Sequence, residues 1–525
     1  MTTVRNRGLS ALLYAIALCL CGSAALSQDC DGSCTTAQSF LTEADVRRII
    51  SQAVNEARAR NALATIAVTD RVGNVLGVYR MGDPLLHRVQ IASRLDSNGR
   101  AAIDSGLEGL VLPTAAAPFV IDDQVAITKA ITGAYLSSEG NAFSSRTASQ
   151  IVQENFNPGE INQPGGPLFG VQFSQLACSD FSSAATGTAV GPGPQRSPLG
   201  LAADPGGLPL YKQGSLVGGI GVIADGLYSL DPVITDQDFN LDELIAVAGT
   251  VDYQAPRNHR ADRITVEGKT LRFSDVDERH LASQPQSTAD IASLGPDVGQ
   301  LVAVFGYSDG SIKAGTAFGQ PESGIRPDSR GDFPGLDAFV FVNDANVERY
   351  PPTMGSDGDQ LAGAPLREAE VRTILQQALT IANRARAQIR RPLGSQARIS
   401  LAVVDTHGEV LGMVRSRDAP VFGSDVALQK ARTAAFYSSA QAADFLRGLP
   451  PVNYLTVDNA GVLLSDTVHF SDYVTGLQVF LGDASALTNG FYAFSDRAGG
   501  NLSRPIYPDG LLAGHIVAEV HRVTQ

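Results

Sequence analysis

The sequence predicts an α+β fold of layered helices and antiparallel sheet, present in two copies in one chain. Three observations predict it: repeated blocks, a helix–hairpin–helix order within each copy, and the separate periodicities of those blocks. LTEADVRRIISQA from Leu41 recurs as LREAEVRTILQQA from Leu366, and IAVTDRVGNVLGVYR from Ile66 as LAVVDTHGEVLGMVR from Leu401. AITKAITGAYLSS from Ala126 returns as ALQKARTAAFYSS from Ala427, and AFSSR from Ala142 as AFSDR from Ala493. The matched blocks lie 325, 335, 301 and 351 residues apart, so insertions fall between blocks that are themselves intact. Two long copies describe a duplicated domain, not a solenoid of many short repeats.

The first block is an amphipathic helix, with Val46, Ile49, Ile50, Ala53 and Ala57 on one face, matched by Val371, Ile374, Leu375, Ala378 and Ala382. Thr42 and Asp45 form a capping-box pattern, and Leu41 is placed to staple onto Val46. The second block is a hairpin around Asp70-Arg-Val-Gly73 and Asp405-Thr-His-Gly408, where Asp first and Gly fourth suit a type I turn. The third is a helix with a small-residue stripe, Ala126, Ala130 and Ala134, repeated as Ala427, Ala431 and Ala435, that lets it lie close to a neighbour. In the first copy a loop-rich stretch, 155–209, leads to Val217-Gly-Gly-Ile-Gly-Val222, a buried strand whose glycines admit another backbone or a ligand. Leu241 to Gly249 is a short closing helix.

These readings divide the chain into a signal peptide (1–27), a mature N-terminal segment (28–40), a first domain (41–255), a connecting or extension module (256–360) and a second, divergent domain (361–525). The module holds a hairpin around Glu267-Gly268 and a strand over 301–305. The second copy shows no obvious Gly-rich strand after AFSDR; either 511–523 substitutes for it or the connecting module donates strands.

Arg5 and Arg7, the apolar run from Leu9 to Cys21 and Ala25-Leu26-Ser27 form an export signal. The expected location is exported, periplasmic or extracellular, with no transmembrane segment, because no later run approaches the ~20 apolar residues that a span needs. Losing two arginines with the signal takes the formal charge from −14 to −16. An acidic exported protein lacks the positive field that nucleic acid requires, which excludes that partner. Cys30, Cys34 and Cys178 remain, an odd number in an oxidising compartment; they read as structural disulfide cysteines of open pairing.

The helix LTEADVRRIISQAVNEAR, the hairpin IAVTDRVGNVLGVYRM, the Lys-Ala pairs Lys129-Ala130 and Lys430-Ala431, and the late VGGIGV resemble the GlcG/HbpS-like haem-binding family, and also the C-terminal domain of PduO-type proteins. The resemblance covers 41–250 well and 366–500 in part. It implies a profilin-like or PAS-like antiparallel sheet flanked by helices, assembly into oligomers, and binding of haem or a small molecule, with haem degradation in some members. The long stretches 82–125, 155–209 and 442–492 depart from the compact family domain.

Haem iron takes an axial His, Cys, Tyr or Met in an apolar slot. No histidine recurs at matched positions; His87, after Leu85-Leu86, is the metal-ligand candidate. Charged positions repeated in both copies are the stronger signal: Arg80/Arg415, Lys129/Lys430 and Arg146/Arg497 are candidate ligand-binding cations that could hold a carboxylate or the haem propionates. Their bland reading is a set of structural ion pairs, which is the favoured one for Asp70/Asp405. Gly218, Gly219 and Gly221 complete the candidate site but lack dinucleotide-loop spacing. There is no His-Glu-x-x-His helix, and no catalytic residue is assigned. The leading expectation is an exported haem-binding or small-ligand-binding protein. The alternatives are an enzyme acting on haem or a small organic acid, and an assembly partner of another exported protein in which the copies form an internal pseudo-dimer.

Overall fold

A computed structural model describes residues 40–495, except 92–109, 114–120, 153–155, 157–165, 182–190, 360–362, 458–462 and positions 170, 172–173, 177–178, 180, 232, 235 and 267. The expected signal peptide, Cys30, Cys34, Cys178, Arg497 and 511–523 lie outside the described residues.

The first copy begins with helix α1 (Glu43–Ala59), whose N-terminus carries the expected capping box. The Asp45 N–H donates to Thr42 Oγ1 at 3.2 Å and the Thr42 N–H to Asp45 Oδ2 at 2.8 Å. Strands β1 (Thr65–Asp70) and β2 (Val75–Met81) form the hairpin, followed by α2 (Ile121–Leu136), the short α3 (Ser145–Ile151), β3 (Gly207–Lys212), β4 (Ser215–Ile223) and α4 (Leu241–Gly249). With β5 (Gly299–Leu301) they build a five-stranded sheet in the order β5-β2-β1-β4-β3, every pairing antiparallel. α2 covers one face, and α1 with α4 the other. Burial of both faces is why β1, β2 and β4 are buried throughout instead of alternating.

The second copy repeats this plan. A hairpin, β6 (Ile325–Pro327) and β7 (Phe339–Phe341), precedes helix α5 (Glu368–Arg384), strands β8 (Ser400–Val404) and β9 (Val410–Arg415) and helix α6 (Phe422–Tyr437). Its sheet runs β6-β7-β9-β8. The copies agree in detail. Each hairpin carries a register shift at the same step, Val68/Thr69 and Val403/Val404. A Cβ on Gly77 would lie 3.3 Å from Ile50 and 3.6 Å from Val46; on Gly412 it would lie 2.9 Å from Leu375 and 3.2 Å from Val371, the same helix positions.

The connecting stretch serves both sheets. β5 pairs with β2, and β7 with β9. Downstream of each strand, Lys313 N–H donates to Leu76 O and Gly315 N–H to Leu41 O; Thr353 N–H donates to Leu411 O and Gly355 N–H to Leu366 O. This stretch therefore donates strands to both copies, but in the second copy to β9 and not at the β8 edge where the Gly-rich strand was expected to be replaced. After α6 come α7 (Ala442–Gly448), the hairpin β10 (Val452–Val457) with β11 (Leu463–Val468), and α8 (Phe470–Leu481). That hairpin is its own two-stranded sheet. Among the described residues no helix is long and apolar enough to cross a membrane.

Candidate ligand-binding site

The repeated cations of the first copy stand in the middle of α2 (Lys129), in the first turn of α3 (Arg146) and on β2 against the first turn of α2 (Arg80), and each meets carboxylates. Lys129 is fully buried; its ammonium donates to Asp242 Oδ2 at 2.6 Å and to Val222 O at 2.8 Å, and pairs closely with Asp204. Burial alone would lower its pKa, but Asp204 and Asp242 outweigh it and hold the ammonium above its ordinary value. Arg146, 1% exposed, donates to Glu243 Oε1 at 2.9 Å and to Asp231 Oδ2 at 2.8 Å. Arg80 on β2 donates to Asp122 Oδ2 at 2.9 Å and closely contacts Asp123. Burial and the adjacent Asp122 charge push the Asp123 carboxyl up to about 7. These charges are matched within the protein. The missed signal is Leu241-Asp242-Glu243: the first turn of α4 sends one acid to Lys129 and the next to Arg146.

In the second copy Arg415 stands without the acidic pair that meets Arg80. Arg415 is fully buried, donates to Ala419 O, and leaves Nη1 without a hydrogen bond. Where α2 begins with Asp122 and Asp123, α6 begins with Phe422-Gly423-Ser424. Burial and the nearby Arg71 push the Arg415 guanidinium down to about 9. Lys430 lies exposed on α6.

Gly219 and Gly221 admit a helix and Gly218 the neighbouring strand β1, not a ligand. A Cβ on Gly219 would stand 2.1 Å from Ala130 O, on Gly221 2.0 Å from Ala126 O, and on Gly218 2.0 Å from Thr69 O. The small-residue face of α2 thus lies directly on β4. His87 is buried, with Nε2 2.6 Å from Met81 O and Nδ1 3.4 Å from Thr65 Oγ1 and 3.8 Å from Asp122. Both ring nitrogens face protein groups, and the hollow beside the ring measures about 180 Å³, below the ~300–1,000 Å³ of ordinary ligand pockets. The aspartates of both hairpins are turn clamps. Asp70 accepts from the N–H of Val72 and Asn74 and from Thr316; Asp405 accepts from the N–H of His407 and Glu409 and from Ser356.

A larger cavity, about 960 Å³, opens beside the Asp70–Gly73 turn, walled by the loop at Gly191–Gln195 and by the connecting stretch. Asn74, Tyr307, Lys313, Asp309, Glu322 and Asp344 give it a polar lining. Lys313 is 2.9 Å from Asp309. A haem does not fit this lining. Tyr307 is the one side chain of an axial type on it, and the propionates would face three carboxylates and a single cation.

Two segments of the chain, 41–95 and 374–464, match the family model described as haem degrading protein HbpS-like. One segment falls in each copy. No curated protein matches. Among solved structures, one titled as a PduOC:heme complex is 15% identical with a TM-score of 0.21, covering 41% of this chain and 95% of that one. Protein ORFY of Klebsiella pneumoniae, described by the family model DUF336, is 17% identical with a TM-score of 0.21, covering 41% and 92%. Those likenesses are too slight to transfer a site.

Proposed function

We propose that this protein is an exported, HbpS-type binder of one small ligand per chain, and that the ligand occupies the cavity beside the Asp70–Gly73 turn. The observation that carries the reading is that cavity's size, about 960 Å³, on a wall that the duplicated fold holds rigidly through the Asp70 clamp. Asp309, Glu322 and Asp344 against Lys313 favour a polar or cationic molecule. Haem is the second reading, favoured by the description of the matched family. Titration of the purified chain with haemin decides between them: a saturable Soret shift at one haem per chain assigns haem, and a flat titration in both oxidation states removes it. An enzyme acting on haem or an organic acid would instead accumulate product beyond the amount of protein. An assembly role would use exposed apolar side chains of the second copy such as Ile381, 69% exposed, and Phe480, 62% exposed.

A further inference from the structure

The helix, hairpin and helix of the first copy, α1, β1, β2 and α2, are matched in the second by α5, β8, β9 and α6. In the first copy β4 covers the edge of β1, with Thr65 opposite Ile223, Val68 opposite Ile220 and Asp70 opposite Gly218. Among the described strands, β8 pairs only with β9 and ends its sheet. Burial follows that difference. β1 is buried at every residue, whereas all of β8 is half-buried; Lys129 is fully buried, whereas Lys430 is exposed. An open edge with free N–H and C=O groups is a pairing template.

The α7–α8 excursion does not fill the place, since among the described strands β10 pairs only with β11. A conserved contact shows where the repeat resumes. After α2, Ser137 Oγ accepts from the Phe143 N–H at 2.9 Å and donates to Phe143 O at 3.0 Å. After α6, Ser438 Oγ accepts from the Phe494 N–H at 2.8 Å and donates to Phe494 O at 3.4 Å. The chain leaves α6, makes its excursion, and returns to the same spot. What remains beyond it is 496–525. There Pro505-Ile-Tyr-Pro-Asp-Gly-Leu-Leu-Ala-Gly-His-Ile516 reads without a gap onto Pro209-Leu-Tyr-Lys-Gln-Gly-Ser-Leu-Val-Gly-Gly-Ile220, sharing Pro, Tyr, Gly, Leu, Gly and Ile at the same positions. Gln213 and Gly214, with φ of 51° and 80°, make the β3–β4 turn. Asp509-Gly510 stands there in the second copy, one of the pairs that a type I′ hairpin favours.

We propose that the open edge of β8 is the docking site of residues 505–518 of the same chain, which add a hairpin in the register of β4, with Ile516 opposite Val403. His515 and Val517 then take the places of Gly219 and Gly221.

Disulfide trapping in the full chain tests this. Val403→Cys with Ile516→Cys should form a cross-link, mapped by mass spectrometry of an unreduced digest, while Val403→Cys with Val517→Cys, turned to opposite faces, should not. No link in the first pair, or equal yield in both, overturns the register. Hydrogen exchange gives an independent readout. Amides of 400–404 should be protected in the full chain and exchange at least tenfold faster in a chain ending at Ser503, with 65–70 unchanged as the internal control. Unprotected amides in the full chain, or no change on shortening, overturn the docking itself.

Discussion

Replacing Lys129 by methionine separates a structural cation from a ligand-binding one. The side chain is fully buried and closes a cluster with Asp204 and Asp242. Removing one partner of a buried pair costs about 3–5 kcal/mol, because the remaining charge has neither water nor a counter-ion. At 1.4 kcal/mol per tenfold, that lowers the folding constant by roughly 10² to 10⁴. Urea unfolding should show it as a fall in midpoint of about 1–2.5 M with an unchanged slope, for a slope of about 2–3 kcal/mol/M. The triple variant Lys129→Met, Asp204→Asn, Asp242→Asn removes the stranded charges and should recover most of the loss. Asp204→Asn alone should be mild, since burial, with the Asp242 charge beside it, raises the Asp204 carboxyl well above its ordinary value. A Lys129→Met chain that unfolds like the native one, or a triple variant no better than the single, refutes the argument.

Arg415, buried without a carboxylate, should tolerate Arg415→Met with unchanged or higher stability, by up to about 4 kcal/mol, read from the thermal midpoint at pH 7. Asp123, with its folded pKa raised to about 7 from 3.8, contributes stability that is complete below pH 4 and lost as pH rises through 7; Asp123→Asn should flatten that part of the urea midpoint against pH. Gly221→Ala places a Cβ 2.0 Å from Ala126 O and should destabilise by about 3 kcal/mol or more, while Gly363→Ala, with open space around it, should be silent in the same unfolding assay.

Much of the fold was legible because duplication tests each pattern twice within one sequence. α1 and α5, both hairpins and their turn aspartates, and α4 from Leu241 to Gly249 follow from periodicity and turn chemistry. The shared role of the connecting stretch was less visible, since its clamps use backbone amides at Lys313 and Thr353, Gly315 and Gly355, whose side chains need not match. The site was the least legible part. A repeated Lys or Arg announces a charge worth keeping but not its partner, and the partners come from far along the chain: Asp242 for Lys129, Glu243 for Arg146. Likewise Gly219 and Gly221 signal close approach, and only the packing of Ala126 and Ala130 on β4 says that a helix makes it. The 960 Å³ cavity is walled by segments that no single block contains.

Native mass spectrometry of the chain purified from its own host tests ligand binding most directly. The account predicts one non-covalent small molecule per chain, lost when Ala314→Trp fills the cavity wall. A chain that carries nothing as isolated and takes up nothing from host extract, or a bound molecule indifferent to Ala314→Trp, would contradict it.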